Sequence, residues 1–303
     1  MEILSKAIPI TMLAFVLSSM LSMGLSLTVG QILEPLRNYK LIVLGLVANF
    51  VLMPFAAFAI ARLLRLDEPL AIALLLLGTA SGAPFLPLLA RISKGNLAFS
   101  VGLMVLLMVV TVGYMPLILP LILDGVSVDP MKIGRSLVFL MLLPLAVGLL
   151  VRARLSGLAA KAQPSLSRLS ILSLALLIAL LLITNVQNVL NLYGTRGVLA
   201  SILFIAAGSG IGWALGGQSD TRGVMVLGTA QRNIAAALVV GGQNFKDPGI
   251  IVMVVVVAIV GLLILMPLAR YLAKFSRPGE QADNSSQHQP LEQNVADGAQ
   301  RGL

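Results

Sequence analysis

The sequence predicts an all-α polytopic membrane protein of about nine transmembrane helices, from its composition, its long apolar runs and an internal repeat. Of the 303 residues, 58% are hydrophobic and 11% are charged, whereas soluble globular chains are about 45–50% apolar and about 25% charged. The mean hydropathy is +0.99, and a spanning helix needs roughly 20 apolar residues. This composition excludes an ordinary soluble domain, and the length has room for about nine spans.

The apolar runs place the helices. The first run is too long for the apolar core of a signal peptide and lacks a clear cleavage site, so we expect it to remain as a helix. From 276 to 303 the chain is rich in Gln, Asn, Ser and Asp, which predicts a disordered tail after a membrane domain at 1–275. The predicted helices span about 7–29, 41–64, 70–90, 97–123, 133–151, 169–190, 197–216, 223–243 and 250–272.

The basic residues of the loops predict the orientation. Nine spans put the termini on opposite faces, and one face carries seven Lys and Arg residues, including Lys132, against twelve on the other, including Arg91, Arg168 and Arg270. The positive-inside rule makes the second face cytoplasmic. We therefore expect an inner (plasma) membrane protein with its N-terminus outside and its tail in the cytoplasm. The net charge of +9 then reflects topology, and we expect the lipid bilayer, not nucleic acid, as a partner.

An internal repeat relates the two halves of the chain. Residues 77–80 (LGTA) recur at 227–230, an offset of 150 positions, and Met115-Pro116-Leu117 recurs at Met266-Pro267-Leu268, an offset of 151. Each match pairs predicted helices five apart, so the paired helices cross the bilayer in opposite directions. Inverted repeats are common in secondary transporters, whose binding sites lie on broken helices near the midplane.

The third predicted helix is interrupted at 78–84 (GTASGAP). Pro84 has no N–H for the carbonyl of Ala80 and clashes with it, and Gly82 has no side chain to restrain the turn. We expect the helix to unwind here, and freed backbone groups at this depth must be buried in protein or line a cavity. The alternative is a simple proline kink packed against neighbouring helices.

Arg232 lies near the centre of the eighth predicted helix, roughly 13 Å from either end, and is too deep to snorkel fully. A charge at this depth costs about 2.5–3.5 kcal/mol on insertion scales and normally faces a cavity or a partner. No acidic residue lies within any predicted helix. Three interpretations stay open: an anion-binding transport site, hydrogen bonds to the unwound backbone of the third helix, or a misplaced span.

Other polar residues within the predicted helices are few. Any one of them is more often an interhelical hydrogen bond than a ligand, and the serines of the first helix recur every four residues, which favours close helix packing. These residues are Asn49, Ser100, Thr111, Asn185, Gln187 and Asn188, with Ser18, Ser22 and Ser26 in the first helix.

The chain lacks the groups that membrane enzymes use. It has no cysteine, and its single histidine, His288, lies in the polar tail. Acid–base, metal-assisted and nucleophilic catalysis need buried acids, histidines or thiolates, and the predicted helices contain none of these groups. We therefore expect no enzyme, no metal site and no cofactor; a binding subunit that does not transport is the remaining rival class.

Five segments resemble the bile acid:sodium symporter family. They are 23–27 (MGLSL), 49–54 (NFVLMP), 78–81 (GTAS), 94–100 (KGNLAFS) and 228–237 (GTAQRNIAAA). The resemblance implies two broken helices, the third and the eighth, that cross at the midplane. It also implies a core domain at about 41–123 and 197–272 that moves against a panel domain at about 7–29 and 133–190. The first helix of the family's ten-helix form is missing here, as in its nine-helix members.

The resemblance also implies sodium as the coupling ion, and this chain departs from the family's sodium ligands. The family's Ser-Asn pair corresponds to Ser81 and Gly82 here, and its Ser and Thr on the next helix correspond to Ser100 and Met104. Its Gln corresponds to Asn49, and its central glutamate corresponds to Val226 or Leu227. Hard cations prefer oxygen clusters that include a carboxylate, so the departures argue against sodium coupling. Because a carboxylate is lost and an arginine gained in one segment, Arg232 could supply in fixed form the charge that sodium supplies elsewhere.

The predicted function is a secondary transporter that moves a small organic anion, a carboxylate or a bile-acid-like solute, by alternating access. The alternative is a proton-linked or uncoupled exporter on the same fold. The predicted substrate-binding residues are Arg232, Gln231, Asn233, Thr79, Ser81 and Asn49, and the candidate ion ligands are Ser81, Ser100, Asn49 and Gln231.

Overall fold

The computed structural model describes residues 2–33, 38–123, 129–184, 196–217 and 219–275, and these residues form helices joined by short loops. Two of the long helices contain a π-helical turn, Ala48–Leu52 and Val138–Leu142. The helices are α1 (Glu2–Ser26), α2 (Val29–Leu33), α3 (Tyr39–Leu63), α4 (Glu68–Thr79), α5 (Leu86–Ile92), α6 (Leu97–Ile122), α7 (Pro130–Arg154), α8 (Ser156–Thr184), α9 (Gly197–Leu215), α10 (Ser219–Ala230), α11 (Ile234–Asn244) and α12 (Pro248–Leu272).

The predicted membrane fold is confirmed. Within the described ranges, eight helical segments are long and apolar enough to cross a membrane, one of them formed by α10 and α11 together. The third predicted helix is not among these eight, because it consists of two short helices, α4, which is apolar, and α5. The predicted tail at 276–303, with His288, and the candidates Asn185, Gln187 and Asn188 lie outside the described residues.

The predicted start of the sixth helix is wrong. We placed it at 169, where the continuous apolar run begins, but α8 begins at Ser156. Its first four turns carry Lys161, Gln163 and Arg168, and these polar residues precede the continuous apolar run. The amide nitrogen of Gln163 donates to the hydroxyl of Ser22 in α1 at 3.4 Å, so this polar part of α8 packs on another helix.

Two groups of helices pack within the fold. The main partners of α1 are α8 and α7. Gly24 of α1 and Gly148 of α7 lie in direct contact, and a Cβ on Gly24 would come within 2.9 Å of the Cα of Gly148. The four short helices α4, α5, α10 and α11 pack mainly with one another and with α3, α6, α9 and α12, and α11 also contacts α1 and α7. The close approach of α1 to α7 therefore depends on these glycines, and Ser22 contributes a hydrogen bond to the contact of α1 with α8.

The π-helical turn in α3 precedes Pro54, which has no N–H to donate to the carbonyl of Phe50 four residues before it. The hydroxyl of Tyr114 in α6 donates to that carbonyl instead. The rings of Phe50 and Tyr114 also pack together, with centroids 4.8 Å apart. Single π-helical turns occur frequently at functional sites, and this one contains the predicted site residue Asn49.

Candidate functional site

The first interruption lies between α4 and α5, at 80–85. Gly82 adopts a φ of 79°, and a Cβ at this position would overlap the backbone nitrogen of Met108 in α6. The backbone N–H of Ser81 donates to the hydroxyl of Thr111 at 3.0 Å, and that hydroxyl donates to the Ser81 carbonyl at 3.1 Å. The backbone N–H and carbonyl of Ser81 in the first break are thus both bonded to α6.

The second interruption lies between α10 and α11, at 231–233. The side chain of Asn233 caps α11 by accepting from the N–H of Ala236 at 3.1 Å. Its amide nitrogen donates to the Gly82 carbonyl at 3.0 Å, and its backbone N–H donates to the Ala80 carbonyl at 3.0 Å. The two breaks therefore bond directly to each other, as the resemblance implied.

Arg232 joins the two breaks through its guanidinium, and its side chain is 3% exposed. The Nε donates to the Leu77 carbonyl at 2.8 Å and Nη2 to the Gly78 carbonyl at 2.8 Å. The Nη1 donates to Oδ1 of Asn49 at 2.7 Å and to the Thr229 carbonyl at 3.1 Å. Four of its five N–H groups are thus bonded, and two of the acceptors are carbonyls of the helix end just before the first break.

The charge on Arg232 is balanced by helix ends. Leu77 and Gly78 lie in the last turn of α4, and Thr229 lies in the last turn of α10. The C-terminus of a helix carries about half a negative elementary charge, so two such ends offset about one positive charge. In the described part of the chain, every acidic residue lies at the start of a helix or in the residue before it, and none contacts the guanidinium.

The other predicted ligands divide into two sets. The Oδ1 of Asn49 accepts from the hydroxyl of Ser81 at 2.8 Å as well as from Arg232, so these three residues form one cluster. Thr79 and Ser100 do not join this cluster. The hydroxyl of Thr79 donates within α4 to the carbonyls of Leu75 and Leu76, both at 3.0 Å.

Ser100 is separated from the cluster along α6. Its hydroxyl donates to the Leu97 carbonyl at 2.6 Å. It lies eleven residues from Thr111, the α6 hydroxyl that bonds to Ser81, and this spacing corresponds to about 16 Å of helix. Thr111 bonds to the first break, and Tyr114 bonds to the π-helical turn of α3. Depth in an apolar helix marked Thr111 in the sequence, whereas no sequence signal marked Tyr114.

A cavity of about 600 Å³ lies between the α1–α8 pair on one side and the broken helices and α12 on the other. Small-molecule sites have volumes of about 300–1,000 Å³. The lining residues lie at 15–26 in α1, 163–174 in α8 and 257–265 in α12. The cavity thus extends from the crossing toward the face that carries Arg168 and Arg270.

The cavity wall is apolar except for hydroxyls and the crossing. Of the six predicted substrate-binding residues, Arg232 and Gln231 line the cavity, whereas the other four do not. The Oε1 of Gln231 is buried and has no hydrogen-bond partner. The opposite wall carries serines and one glutamine that the sequence did not assign to a site, and these are Ser19, Ser22 and Ser26 of α1 and Gln163, Ser167 and Ser170 of α8.

The other end of the bundle is closed by contacts to the C-terminal turn of α11. The Nζ of Lys132 in α7 donates to the Gln243 carbonyl at 2.5 Å, and the hydroxyl of Ser136 donates to the Gln243 side chain. Gly242 lies against the side chain of Met12 in α1. The helices α1 and α7 therefore meet α11 on the side opposite the cavity.

Comparison with known proteins shows which family this chain matches. The model of the sodium bile acid symporter family matches residues 12–192, a region that contains the first break and ends before the second. A probable sodium/metabolite cotransporter, BASS2, from Oryza sativa subsp. japonica is 35% identical over 132 residues, which are 43% of this chain and 32% of the relative.

Two further relatives are also named as transporters. The uncharacterized sodium-dependent transporter YocS of Bacillus subtilis (strain 168) is 28% identical over 148 residues, covering 48% of this chain and 46% of the relative. The hepatic sodium/bile acid cotransporter of Rattus norvegicus is 28% identical over 156 residues, covering 49% and 43%. The chain thus matches less than half the length of each relative, and these names support a transporter and not an enzyme.

Proposed function

This chain belongs to the sodium bile acid symporter family, and we propose that it is a secondary transporter that moves an organic anion across the membrane by alternating access. The observation that carries the proposal is the cavity at the crossing, since transporters with inverted repeats bind their solutes beside broken helices. The solute is a carboxylate or a bile-acid-like acid of a size that about 600 Å³ holds.

The moving parts are the core and panel domains. The panel comprises 7–29 and 133–190, and its helices α1, α7 and α8 pack mainly on one another. The core comprises 41–123 and 197–272 and holds both breaks. A cavity at the boundary between two such groups changes its access when one group moves against the other.

The cavity lining fits an amphipathic anion. Its apolar surface suits the hydrocarbon part of the solute, and the hydroxyls of Ser22, Ser26 and Ser170 suit polar substituents. The amide of Gln231 and the N-terminus of α11 lie on the same wall, where Ile234 and Ala235 also line the cavity. Amide donors and a positive helix end favour an anionic group there.

Alternation requires the closed end of the bundle to open. Lys132 and Ser136 of the panel bond to Gln243 of the core, and these bonds must break when the core moves. By the positive-inside rule this end faces outward, so the cavity described above is accessible from the cytoplasmic side. A solute shifts this equilibrium only through its different affinity for the two states.

Uptake into proteoliposomes tests the proposal. Purified protein is reconstituted, and a panel of radiolabelled organic acids, from small carboxylates to bile acids, is followed over time. A carrier equilibrates solute with the vesicle volume, whereas a binding subunit saturates at its own concentration. Binding without uptake for every acid would refute the transporter.

A matched pair of variants ties transport to the cavity. Ser170→Trp fills the cavity from α8, and Leu172→Trp places the same ring on an α8 side chain that is 67% exposed. We expect Ser170→Trp to reduce uptake at least about tenfold, equivalent to about 1.4 kcal/mol, and Leu172→Trp to leave it unchanged. Equal uptake by both variants would place the solute elsewhere.

A further inference from the structure

We propose that Arg232 is a built-in cation that takes the place of a coupling sodium ion, so that anion transport by this chain proceeds without sodium. This inference rests on the proposed function and concerns the coupling of the same site. It differs from what the names of the relatives state, because all three are named for sodium.

The first argument is the oxygen cluster that surrounds the guanidinium. It consists of the carbonyls of Leu77, Gly78 and Thr229 and the amide oxygen of Asn49, all within 3.1 Å of a guanidinium nitrogen. Unwound carbonyls and the C-terminal ends of half-helices are the groups that bind cations in broken-helix transporters. In this chain they are already bound to a covalently attached cation.

The second argument is that the oxygens of Ser81, Thr111 and Asn49 are already bonded at the crossing, where only the buried Oγ1 of Thr229 and Oε1 of Gln231 have no hydrogen-bond partner among the described residues. The Ser81 hydroxyl donates to Asn49, and Thr111 bonds to the Ser81 backbone in both directions. Asn233 donates to the carbonyls of Ser81 and Gly82. A sodium ion would have to displace these bonds, and no carboxylate in the described part of the crossing favours the exchange.

The third argument is steric. Gly82 occupies the position where the family resemblance places an asparagine ligand, and a Cβ there would overlap the backbone of Met108. The first break therefore has no room for the additional oxygen ligand. The residues present do not fit a sodium site, whereas they do satisfy the guanidinium.

Sodium binding to the wild-type protein is the first test. Radiolabelled sodium is added to purified protein at constant ionic strength, with potassium as the balancing cation. We expect no saturable binding up to about 100 mM and an uptake of the transported anion that changes less than about twofold when potassium replaces sodium, since twofold is only about 0.4 kcal/mol.

Saturable sodium binding, or a tenfold loss of uptake without sodium, would overturn the inference. The binding arm needs no transported solute. A protein that transports none of the acids therefore fails the proposed function, while its sodium binding still decides the role of Arg232.

Removal of the guanidinium is the second test. Arg232→Ala vacates the oxygen cluster and leaves two helix C-termini without a counter-charge, so we expect the variant to bind sodium. Its thermal midpoint should rise with sodium relative to potassium, and millimolar guanidinium chloride should restore part of the lost stability. Arg270→Ala, which removes an exposed arginine from the end of α12, should show neither response.

A folded Arg232→Ala protein that responds to neither cation would show that the cluster is not a cation site and would overturn the inference. If the variant does not fold, the wild-type binding experiment decides alone.

Discussion

The two breaks are alike in position and differ in cause. Between α4 and α5 six residues are irregular, and they include Gly82 and Pro84. Between α10 and α11 three residues are irregular, and they contain neither glycine nor proline. The break between α4 and α5 contains residues that disfavour a helix by themselves, Gly82 and Pro84. The break between α10 and α11 forms because Arg232 and Asn233 bond to the end of α4 and to the first break. The geometry of the second break therefore depends on the first.

This difference shows why the crossing behaves as one unit. The last carbonyls of α4 have no partners in their own helix, and Arg232 supplies donors for two of them. In return, the carbonyls of 80–82 hold Asn233 as the N-cap of α11. Changes at the second break should therefore damage the first, and the following variants test that coupling.

The largest effect is expected for Arg232→Met, which keeps an unbranched stem as far as the Nε position and removes every donor. Removing one partner of a buried charged network costs about 3–5 kcal/mol, and the carbonyls of Leu77 and Gly78 lose their partners. The free energy of unfolding in detergent measures this loss, with Arg270→Met as the control. A loss similar to that of the control would mean that the bonds of Arg232 contribute nothing to the crossing.

The next effect is expected for Gly82→Ala. The left-handed φ costs an alanine about 1–2 kcal/mol, and the overlap with Met108 adds about 1–3 kcal/mol. Gly113→Ala lies in α6, where a Cβ meets nothing within 4 Å, and it should be neutral or slightly stabilising. Thermal midpoints of the two variants compare them directly, and equal midpoints would contradict the packing at the first break.

A smaller effect is expected for Asn233→Ala. The loss of the cap costs about 1 kcal/mol, and the loss of the amide donors to the first break adds about 0.5–1.5 kcal/mol. Asn233→Ser keeps a capping oxygen and loses the donors, so its stability should lie between those of wild type and Asn233→Ala. If serine restores full stability, Asn233 acts only as a cap and does not link the breaks.

The smallest effect is expected for Pro84→Ala. The break also depends on Gly82 and on the bonds from Asn233, so alanine should not restore a continuous helix. The free energy of unfolding should fall by about 0.4–1 kcal/mol, mainly because the unfolded chain gains conformational entropy when proline is replaced. Hydrogen exchange at residues 80–85 would reveal a continuous helix by new protection, and such protection would show that proline alone maintains the break.

The sequence predicted what depends on local chemistry. Long apolar runs placed the membrane helices, and Gly82 with Pro84 marked the first break. It did not predict a second break from the residues at 231–233, because no residue there disfavours a helix by itself. The break arises from hydrogen bonds to a segment about 150 residues away, and only the repeat and the family resemblance pointed to it.

The cavity was predicted less well than the crossing. Ser22 and Ser26 recur at helical spacing, and we assigned them to helix packing; both also line the cavity, and Ser22 bonds to Gln163 of α8. The polar start of α8, which forms the same wall, lay outside the predicted helix because hydropathy excludes lysine, glutamine and arginine. A polar residue in a membrane helix can face a neighbour or a cavity, and its sequence spacing is the same in both cases.

The covalent attachment of the Arg232 charge has a thermodynamic consequence for the direction of flux. Under the role proposed for Arg232, a cation that returns with the empty carrier adds no net charge to a transport cycle, so a sodium gradient would not drive the solute. Each cycle then moves only the charge of the solute, and the membrane potential contributes about 2.3 kcal/mol per elementary charge per 100 mV. Because the cell interior is negative, that contribution would expel an anion, and the proposed role of Arg232 therefore predicts efflux rather than accumulation.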